Sequence, residues 1–367
     1  MKVLITGAGG FIGRNLVIQL AETPGLQVLQ FLRQSDGDLN RLVAETDFVF
    51  HLAGVNRSAA SGDFVNGNVE STRALCAALE AQGKVTPVVY ASSTQAELDN
   101  HYGHTKREAE RLLLGYADRT GARVGLFRLP NVFGKWARPN YNSVVATFCH
   151  NVARDLPIRI DDPSHSIRLV YIDDVVAAFT RVMTGEEACT PFCEVAPCYP
   201  ITVGELAGLI RGFRASRTTL MPGPVGVGLT RALYATYVSY LPPAEFAYAI
   251  PKHGDNRGVF VEMLKTVDSG QFSFFTAHAG TTRGGHYHHS KTEKFLVIKG
   301  QARFRFRHIV SNECHELYTS GTEPQVVETI PGWAHDITNV GDDEMIVILW
   351  ANEIFDRARP DTYRYRV

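Results

Sequence analysis

Hydrophobic positions along roughly the first half of the chain fall into two kinds of segment. Short apolar runs rich in β-branched residues alternate with longer amphipathic segments, a pattern typical of βαβ units stacked around a parallel sheet. The predicted strands cover residues 3–5, 28–32, 48–52, 88–91 and 124–128. The predicted helices lie near residues 12–22, 68–82 and 103–120, with two more at 201–214 and 226–241. We therefore expect an α/β fold with a doubly wound parallel sheet.

The pattern changes beyond Pro242 and Pro243, where short alternating strands are separated by glycine turns. Such strands are typical of an all-β barrel, and they are predicted at residues 259–261, 271–275, 295–298 and 345–349. A chain of 367 residues also exceeds what one hydrophobic core usually supports. We predict two domains, an α/β domain over residues 1–243 and an all-β barrel over residues 244–367.

Composition and charge narrow the class of partner. Hydrophobic residues make up 45% of the chain and the formal net charge is -1, so no long-range positive field favours nucleic acid or an anionic membrane. A small metabolite fits this charge better. The first predicted strand begins at residue 3, which leaves no room for a signal peptide, and the apolar stretch 225–241 is interrupted by Arg231. We expect a cytoplasmic protein in which this stretch is a buried helix.

A glycine-rich loop follows the first predicted strand and opens the first predicted helix. Strand, loop and helix in this order let backbone N–H groups and the helix dipole face a pyrophosphate, and glycine is needed because a Cβ would block the approach. A dinucleotide is therefore the expected ligand. The residues of this candidate site are Gly7, Gly10, Phe11, Ile12, Gly13 and Arg14.

The residue after the second strand indicates which dinucleotide is bound. NAD-binding domains usually place an acidic residue there to bind the ribose hydroxyls, but this chain has Arg33. A guanidinium at this point would pair with the 2′-phosphate of NADP, and Arg14 could assist. We predict NADP(H), with a solvated surface arginine as the alternative reading of Arg33.

Five further motifs follow the glycine loop in order. They are His51-Leu52-Ala53-Gly54, Asn68-Val69-Glu70-Ser71-Thr72, Tyr90-Ala91-Ser92-Ser93-Thr94, Tyr102-Gly103-His104-Thr105-Lys106 and Arg128-Leu129-Pro130-Asn131-Val132-Phe133-Gly134. Together they resemble the extended short-chain dehydrogenase/reductase family, which has a Rossmann-type sheet. The resemblance implies that Leu52, Ala53, Gly54 and Lys106 contact the cofactor. It also implies that Asn131, His165 and Arg168 hold a nucleotide diphosphate, with a structural salt bridge as the alternative for Arg168.

The Tyr-x-x-x-Lys pair has a direct chemical reading. Residues four apart share a helix face, so the Lys106 ammonium would lie beside the Tyr102 phenol and favour its ionised form. Tyr102 could then exchange a proton with a sugar carbonyl or alcohol. A hydroxyl of residues 92–94 would hold the carbonyl oxygen, and Ser93 and Thr94 are the candidates.

Two sequence features select reduction among the reactions of this family. Dehydratases of the family place an Asp-Glu pair after the hydroxyl residue, whereas this chain has Gln95-Ala96. Dehydration is therefore not expected. Arg33 favours reduction over epimerisation, because NADP(H) is mostly consumed as a reductant.

The C-terminal part carries a second candidate site. His286-Tyr287-His288, Glu293 and Gly300 have the spacing of the first cupin motif, and Pro331-Gly332 with His335 resembles the second. Residues two apart on a strand share a face, so His286 and His288 can reach one ion. With Glu293 and His335 they form a three-nitrogen, one-oxygen set suited to one divalent transition metal per chain, with zinc as the expected ion.

A second resemblance gives His286 a different role, in which no metal is bound. His253-Gly254-Asp255-Asn256-Arg257-Gly258 and Arg283-Gly284-Gly285-His286-Tyr287 also resemble the nucleotide-sugar 3,5-epimerases, which use the cupin fold without metal. That resemblance implies that His286 abstracts a proton and that Arg257 contacts the sugar nucleotide. Metal at all four residues is preferred here, with the base left open.

A reductase joined to a cupin resembles the CapF-type bifunctional enzymes of bacterial capsule and O-antigen synthesis. The resemblance implies a homodimer acting on a UDP-linked 2-acetamido-2,6-dideoxy-4-hexulose. The cupin would epimerise it at C3, and the reductase would then reduce C4 with NADPH, giving a UDP-6-deoxy-talosamine-type precursor of N-acetyl-L-fucosamine. The alternatives are a reductase with a purely structural cupin, an NAD-dependent epimerase, and a non-catalytic sensor of sugar nucleotides.

Overall fold

The structure is a computed structural model that describes most of the chain, in two compact units. The described residues are 1–32, 39–57, 61–188, 191–251, 253–255, 258–260, 263–264, 270–353 and 358–367. The first unit comprises residues 1–133, 141–143 and 167–200, and the second comprises residues 134–140, 144–166 and 201–367. The predicted domain boundary at residue 244 stays a prediction.

The helices and strands follow the predicted alternation closely. The helices are α1 Phe11–Ala21, α2 Leu39–Ala44, α3 Ser61–Phe64, α4 Ser71–Ala81, α5 His101–Thr120, α6 Val144–Val152, α7 Ile172–Thr184, α8 Val203–Thr219 and α9 Gly228–Val238. The strands up to residue 202 are β1 Lys2–Thr6, β2 Gln27–Phe31, β3 Phe48–His51, β4 Val88–Ser93, β5 Val124–Leu129, β6 Asn131–Phe133, β7 Ser166–Tyr171, β8 Phe192–Cys193 and β9 Tyr199–Thr202. A π-helical turn, Val65–Glu70, leads into α4, and a 3-10 turn, Thr94–Glu97, follows β4.

The first unit is built on a parallel sheet with strand order β2-β1-β3-β4-β5-β8. Val3, Leu4 and Ile5 of β1 are fully buried, as expected for a parallel strand covered on both faces. Helices α1 and α7 contact each other, and α4 contacts both α2 and α5. The predicted doubly wound α/β fold is confirmed.

The strand order also locates a crevice. β1 has β2 on one side and β3 on the other, and the chain departs from β1 in opposite directions across the sheet. In open α/β sheets, ligands bind at the carboxyl ends of the strands at such a switch point. The loops that follow β1 and β3 therefore line the crevice where a cofactor is expected.

The C-terminal part of the second unit is all-β, as predicted. Its strands are β10 Ala247–Ala249, β11 His253–Asp255, β12 Gly258–Phe260, β13 Gln271–Ala277, β14 Thr282–Tyr287, β15 Glu293–Lys299, β16 Gln301–His308, β17 Cys314–Ser320, β18 Gln325–Glu328, β19 Trp333–Asn339, β20 Met345–Ala351 and β21 Tyr363–Arg364. Ten of them form two five-stranded sheets, ordered β10-β18-β15-β20-β13 and β17-β16-β19-β14-β21. The rings of Phe295 and Phe304, one from each sheet, pack edge to face with centroids 5.7 Å apart.

Helices α6, α8 and α9 pack against one another in the second unit. The stretch around Arg231 is indeed a buried helix, because Leu233, Tyr234 and Tyr237 of α9 are almost fully buried. Arg231 itself pairs with Glu353 at 2.8 Å. No helix among the described residues is long and apolar enough to cross a bilayer.

A buried ionic network joins α8 to the β-sheet. Lys294 of β15 pairs with Glu328 of β18, and the two residues are 2% and 3% exposed. The Lys294 ammonium also donates to the Tyr248 hydroxyl at 3.1 Å. Arg217 of α8 lies 3.7 Å from the Glu328 carboxylate. The helices at 203–238 are thus tied to the sheet that carries Glu293.

We predict that Glu328→Gln destabilises the protein, because it leaves the buried Lys294 ammonium without its counter-charge. The free energy of unfolding in urea should fall by about 3–5 kcal/mol. Glu316→Gln is the matched control, since the Glu316 side chain is 44% exposed, lies 3.8 Å from Arg303 and accepts a hydrogen bond from the exposed Tyr318 hydroxyl at the surface of β17. That change should cost about 0–1 kcal/mol. Equal effects of the two substitutions would contradict the assigned role of the network.

Candidate active sites

The glycine loop brings the backbone close to the space at the end of β1. Gly7 has a φ of +69°, and a Cβ on Gly13 would lie 2.3 Å from the Gly7 carbonyl oxygen. Only glycine at residue 13 lets α1 start against the loop. Gly10 is the N-cap of α1 and supplies no side-chain hydrogen bond, and no acidic residue lies in the first turn. The N–H groups of Phe11, Ile12 and Gly13 are therefore available for an anion at the positive end of the helix.

A buried series of hydrogen bonds holds the loop after β3 in place. Thr6 Oγ1 lies 2.7 Å from His51 Nδ1, and His51 Nε2 lies 2.8 Å from Thr72 Oγ1. Burial, with a smaller contribution from the Lys106 charge, lowers the pKa of His51 to about 3, so the ring is neutral. The Ala53 N–H donates to Thr6 Oγ1 at 3.3 Å. These hydrogen bonds fix the start of the segment Leu52-Ala53-Gly54, which is predicted to contact the cofactor.

Asn68 links that segment to α5. Its side-chain oxygen accepts from the Val55 N–H at 2.9 Å, and its amide donates to Thr105 Oγ1 at 3.0 Å. Asn68 is fully buried, and a Cβ on Gly54 would lie 2.8 Å from its oxygen. The sequence motif contained Asn68 but suggested no contact for it. The glycine loop after β1 and the fixed loop after β3 lie on either side of the crevice at the switch point. Together they are suited to bind a dinucleotide.

Tyr102 and Ser93 meet because α5 packs directly on the turn after β4. Asn100 caps the helix by accepting from the Gly103 N–H at 2.8 Å. A Cβ on Gly103 would lie 2.2 Å from the Gln95 carbonyl oxygen, so only glycine permits this approach. Burial raises the pKa of Tyr102 to about 12, and a side-chain hydrogen bond with Ser93 acts in the opposite direction. Thr94 follows Ser93 as the first residue of the turn.

The Lys106 ammonium is buried on α5, one helical turn after Tyr102. It donates to the Tyr90 hydroxyl at 3.1 Å and to the Ala91 carbonyl at 2.8 Å. Burial lowers the pKa of Lys106 to about 8, while the Glu110 charge opposes the shift. The expected lowering of the Tyr102 pKa by Lys106 is not seen, because burial of the phenol outweighs other influences on it.

Ser92, the third hydroxyl considered, is engaged elsewhere. Its hydroxyl donates to Glu110 at 2.5 Å, and Arg128 pairs with the other carboxylate oxygen at 2.7 Å. Glu110 is 2% exposed. This network holds α5 against β4 and β5, and it explains why Ser93 rather than Ser92 faces the phenol. The sequence patterns did not lead us to Glu110, although it lies four residues from Lys106 on the same helix.

The residues predicted to bind the sugar nucleotide do not all lie in one unit of the structure. Asn131 and Arg168 come together on the paired strands β6 and β7, where the Asn131 amide donates to the Arg168 carbonyl at 3.2 Å. Both side chains are exposed. His165 is exposed in the second unit, where its N–H donates to the Asp162 carbonyl at 3.4 Å. Arg33 and Arg257 lie outside the described residues, so their predicted contacts stay predictions. Arg14 is exposed on α1.

In the second unit, the four predicted metal ligands converge. One ligand atom from each of His286, His288, Glu293 and His335 lies within 4.8 Å of every other. His286 of β14 is directly opposite His335 of β19 in the sheet, and Glu293 begins β15 in the other sheet. Atoms bound to one tetrahedral Zn²⁺ at 2.0–2.2 Å lie about 3.3–3.6 Å apart. The most widely separated ligand atoms of the cluster would therefore have to approach each other by about 1.2–1.5 Å.

The electrostatics of the cluster favour a cation. Glu293 Oε2 lies 3.1 Å from His288 Nε2 and 3.6 Å from His335 Nε2. Both ring nitrogens of His335 are buried and make no hydrogen bond with the residues that the structure describes. Burial, with the neighbouring imidazoles, lowers the pKa of His286 to about 3. Burial alone would raise the pKa of Glu293, but interactions with His288 and His335 bring it well below its ordinary value. Zn²⁺ binds unprotonated imidazole nitrogens and ionised carboxylates, and the low pKa values of His286 and Glu293 suit that donor set.

Comparison with known proteins extends these observations to the whole chain. Residues 3–191 match the NAD dependent epimerase/dehydratase family, and residues 253–363 match the polysaccharide biosynthesis C-terminal domain. A relative from Pseudomonas aeruginosa, described as a UDP-2-acetamido-2,6-beta-L-arabino-hexul-4-ose reductase, is 59% identical over 99% of this chain and 98% of its own length.

Solved structures give the same assignment. The capsular polysaccharide assembling protein CapF from Staphylococcus aureus aligns over the full length of both chains with 39% identity and a TM-score of 0.69. MoeE5 in complex with UDP-glucose and NAD aligns with 60% of this chain and 82% of its own, with 26% identity and a TM-score of 0.53. The chain therefore belongs to the CapF-type family of enzymes, in which an NAD dependent epimerase/dehydratase domain is followed by a polysaccharide biosynthesis C-terminal domain.

Proposed function

We propose that this chain is a bifunctional enzyme of capsule or O-antigen precursor synthesis. Its substrate is a UDP-2-acetamido-2,6-dideoxy-4-hexulose, which residues 244–367 epimerise at C3 and residues 1–243 then reduce at C4 with NADPH. The proposed product is a UDP-6-deoxy-talosamine-type sugar. The observation that carries the proposal is the hydrogen bond between Tyr102 and Ser93, with the buried Lys106 one turn further along α5, in a chain 59% identical to a reductase of such a ketose. The enzyme would work in the cytoplasm as a homodimer, without nucleic-acid or membrane partners.

The proposed reduction depends on which side chains carry a proton near the ketone oxygen. When bound, NADPH supplies a hydride to C4. Ser93 donates a hydrogen bond to the ketone oxygen, and Tyr102, which is protonated at neutral pH, gives that oxygen its proton. The Lys106 ammonium, held by the Ala91 carbonyl, stabilises the phenolate left behind. Asn131, His165 and Arg168 are proposed to hold the UDP group, with Arg33 and Arg14 selecting NADP.

The epimerase chemistry belongs to the second unit. A ketone at C4 makes the hydrogen at C3 acidic enough for removal by a protein base. His286, His288, Glu293 and His335 would hold one divalent ion, proposed to be zinc, which when bound supplies Lewis-acid chemistry at such a centre. His286 is the only one of the four that is partly exposed. The base is left unassigned, and Arg257 is proposed to contact the sugar nucleotide.

The pH dependence of reduction should report on Lys106. Its pKa of about 8 means that the ammonium is present below this pH and is lost above it. We expect kcat/KM for reduction to fall about tenfold per pH unit above about pH 8. Lys106→Arg keeps the charge at all accessible pH values, so its profile should lose this limb. A limb that persists unchanged in the arginine variant would show that another group titrates.

The proposal is tested by product analysis. The purified enzyme is incubated with the UDP-4-ketose and NADPH, the absorbance of NADPH is followed, and the sugar product is identified by NMR. Stoichiometric oxidation of NADPH with inversion at C3 is the expected result. Inversion with tightly bound NAD and no consumption of NADPH would favour an NAD-dependent epimerase. Reduction without inversion would favour a reductase with a structural cupin, and no turnover would favour a sensor.

A further inference from the structure

The last residues of the chain lie across the loop that carries a metal ligand. We call residues 361–365 the C-terminal strap and residues 288–291 the metal loop. Within the strap, β21 pairs antiparallel with β14, the strand that leads into the metal loop. The Tyr365 N–H donates to the Gly285 carbonyl at 2.9 Å. Tyr363 stacks on Tyr287 with ring centroids 5.6 Å apart. The strap is therefore docked by both backbone and ring contacts.

One strap residue, Asp361, binds every residue of the metal loop. Its carboxylate accepts from three consecutive backbone N–H groups, those of His289 at 3.0 Å, Ser290 at 3.0 Å and Lys291 at 2.8 Å. The same carboxylate lies 3.2 Å from the Ser290 hydroxyl. Three charge-assisted bonds to successive residues leave the loop little freedom to change its path.

The backbone of Asp361 also fixes the orientation of a metal ligand. Its carbonyl oxygen lies 2.6 Å from His288 Nδ1. Because a carbonyl oxygen only accepts, Nδ1 carries a hydrogen, and Nε2 is the nitrogen that faces Glu293 at 3.1 Å. Partners on the second ring nitrogen set the tautomer and ring angle of metal-binding histidines. Side-chain and backbone contacts of Asp361 thus converge on His288.

We propose that Asp361 is a positioning residue for the metal site, and that docking of the C-terminal strap and binding of the ion are coupled. The inference rests on the proposed metal site. Coupling is reciprocal, so a strap that raises the affinity for the ion is itself held more tightly when the ion is bound. No sequence motif marks Asp361, which lies 26 residues beyond the last predicted ligand, His335.

Asp361→Asn tests the positioning role, because it keeps the size of the side chain but turns one acceptor into a donor facing the loop N–H groups. Zinc affinity is measured by competition with a chromogenic chelator, and Co²⁺ absorption reports the ligand geometry. We expect affinity to fall about 10- to 100-fold, with a changed Co²⁺ spectrum. Asp342→Asn, the same change at an exposed turn, should leave both unaltered. Equal affinities of wild type and Asp361→Asn would overturn the positioning role alone. A wild-type protein that binds no ion would overturn the metal site as well.

A second measurement needs no variant. A serine carboxypeptidase, which has no metal of its own, is used to digest the C-terminus of the wild-type protein with and without added zinc. Coupling predicts that zinc slows release of the strap residues by about the same 10- to 100-fold. Identical rates of release, in a protein that the chelator competition shows to bind zinc, would refute the coupling.

Discussion

Tyr102→Phe should lower the rate of C4 reduction by about 10²–10⁴-fold. The substitution removes the hydroxyl that is proposed to give a proton to the ketone oxygen, while the ring can keep its contact with Phe64. Because the proposed epimerase site is elsewhere, exchange of the C3 hydrogen with solvent should continue at the wild-type rate. NADPH absorbance measures the first quantity and NMR in deuterated water measures the second.

If exchange of the C3 hydrogen continues in Tyr102→Phe, the variant is folded and still binds substrate at the second site. The experiment therefore contains a control for both. Tyr318→Phe is a matched control, since this tyrosine is 60% exposed on β17 and its loss should change neither activity. Near-normal reduction by Tyr102→Phe would mean that another group, or water, supplies the proton. In that case the reductase site has been assigned to the wrong residues.

His335→Ala is expected to remove both the ion and the epimerase activity. The buried His335 ring has no hydrogen-bonding role with the described residues that would compete with metal binding. Its loss leaves three ligands, and we expect zinc content after dialysis to fall from one per chain to near zero. Exchange at C3 should fall by about 10²-fold or more, in line with loss of positioned acid–base chemistry. Reduction of a ketose that already has the product configuration at C3 should persist.

The outcome of the His335 experiment separates two hypotheses. His278→Ala changes an exposed histidine just after β13 and should alter neither zinc content nor exchange. If His335→Ala loses zinc but exchanges C3 at the wild-type rate, the ion is structural and the base acts without it. That result would favour the metal-free mechanism implied by the resemblance to 3,5-epimerases.

Local sequence patterns predicted those parts of the two sites that lie close together in the chain. The glycine loop, the Tyr102–Lys106 pair and the His286–His288 pair each depend on residues within one turn or at the end of one strand, where helix and strand periodicity indicates which residues share a face. The convergence of His286 with His335 was also predictable, because each belongs to a motif of known spacing. Their pairing across β14 and β19 supplies the physical reason.

Long-range contacts could not be predicted in this way. Asp361 contacts the metal loop from 70 residues away through Lys291, and nothing near it in sequence indicates that. Helices α8 and α9 were predicted, but their packing partners were not, since the Arg217–Glu328 contact joins elements more than 100 residues apart. The Tyr102 pKa was predicted in the wrong direction because burial of the phenol depends on the surrounding fold. Glu110 is different, since its four-residue spacing from Lys106 offered a local signal.

Two sites in one chain are proposed to act in order on one keto-sugar. The most direct measurement follows NADPH oxidation and deuterium at C3 together, in deuterated water, for the wild type, Tyr102→Phe and His335→Ala. We expect product with deuterium at C3 from the wild type, and labelled but unreduced ketose from Tyr102→Phe. We expect neither label nor inverted product from His335→Ala. Wild-type product that is reduced at C4 but carries hydrogen at C3 would show that the second site does not act on this sugar.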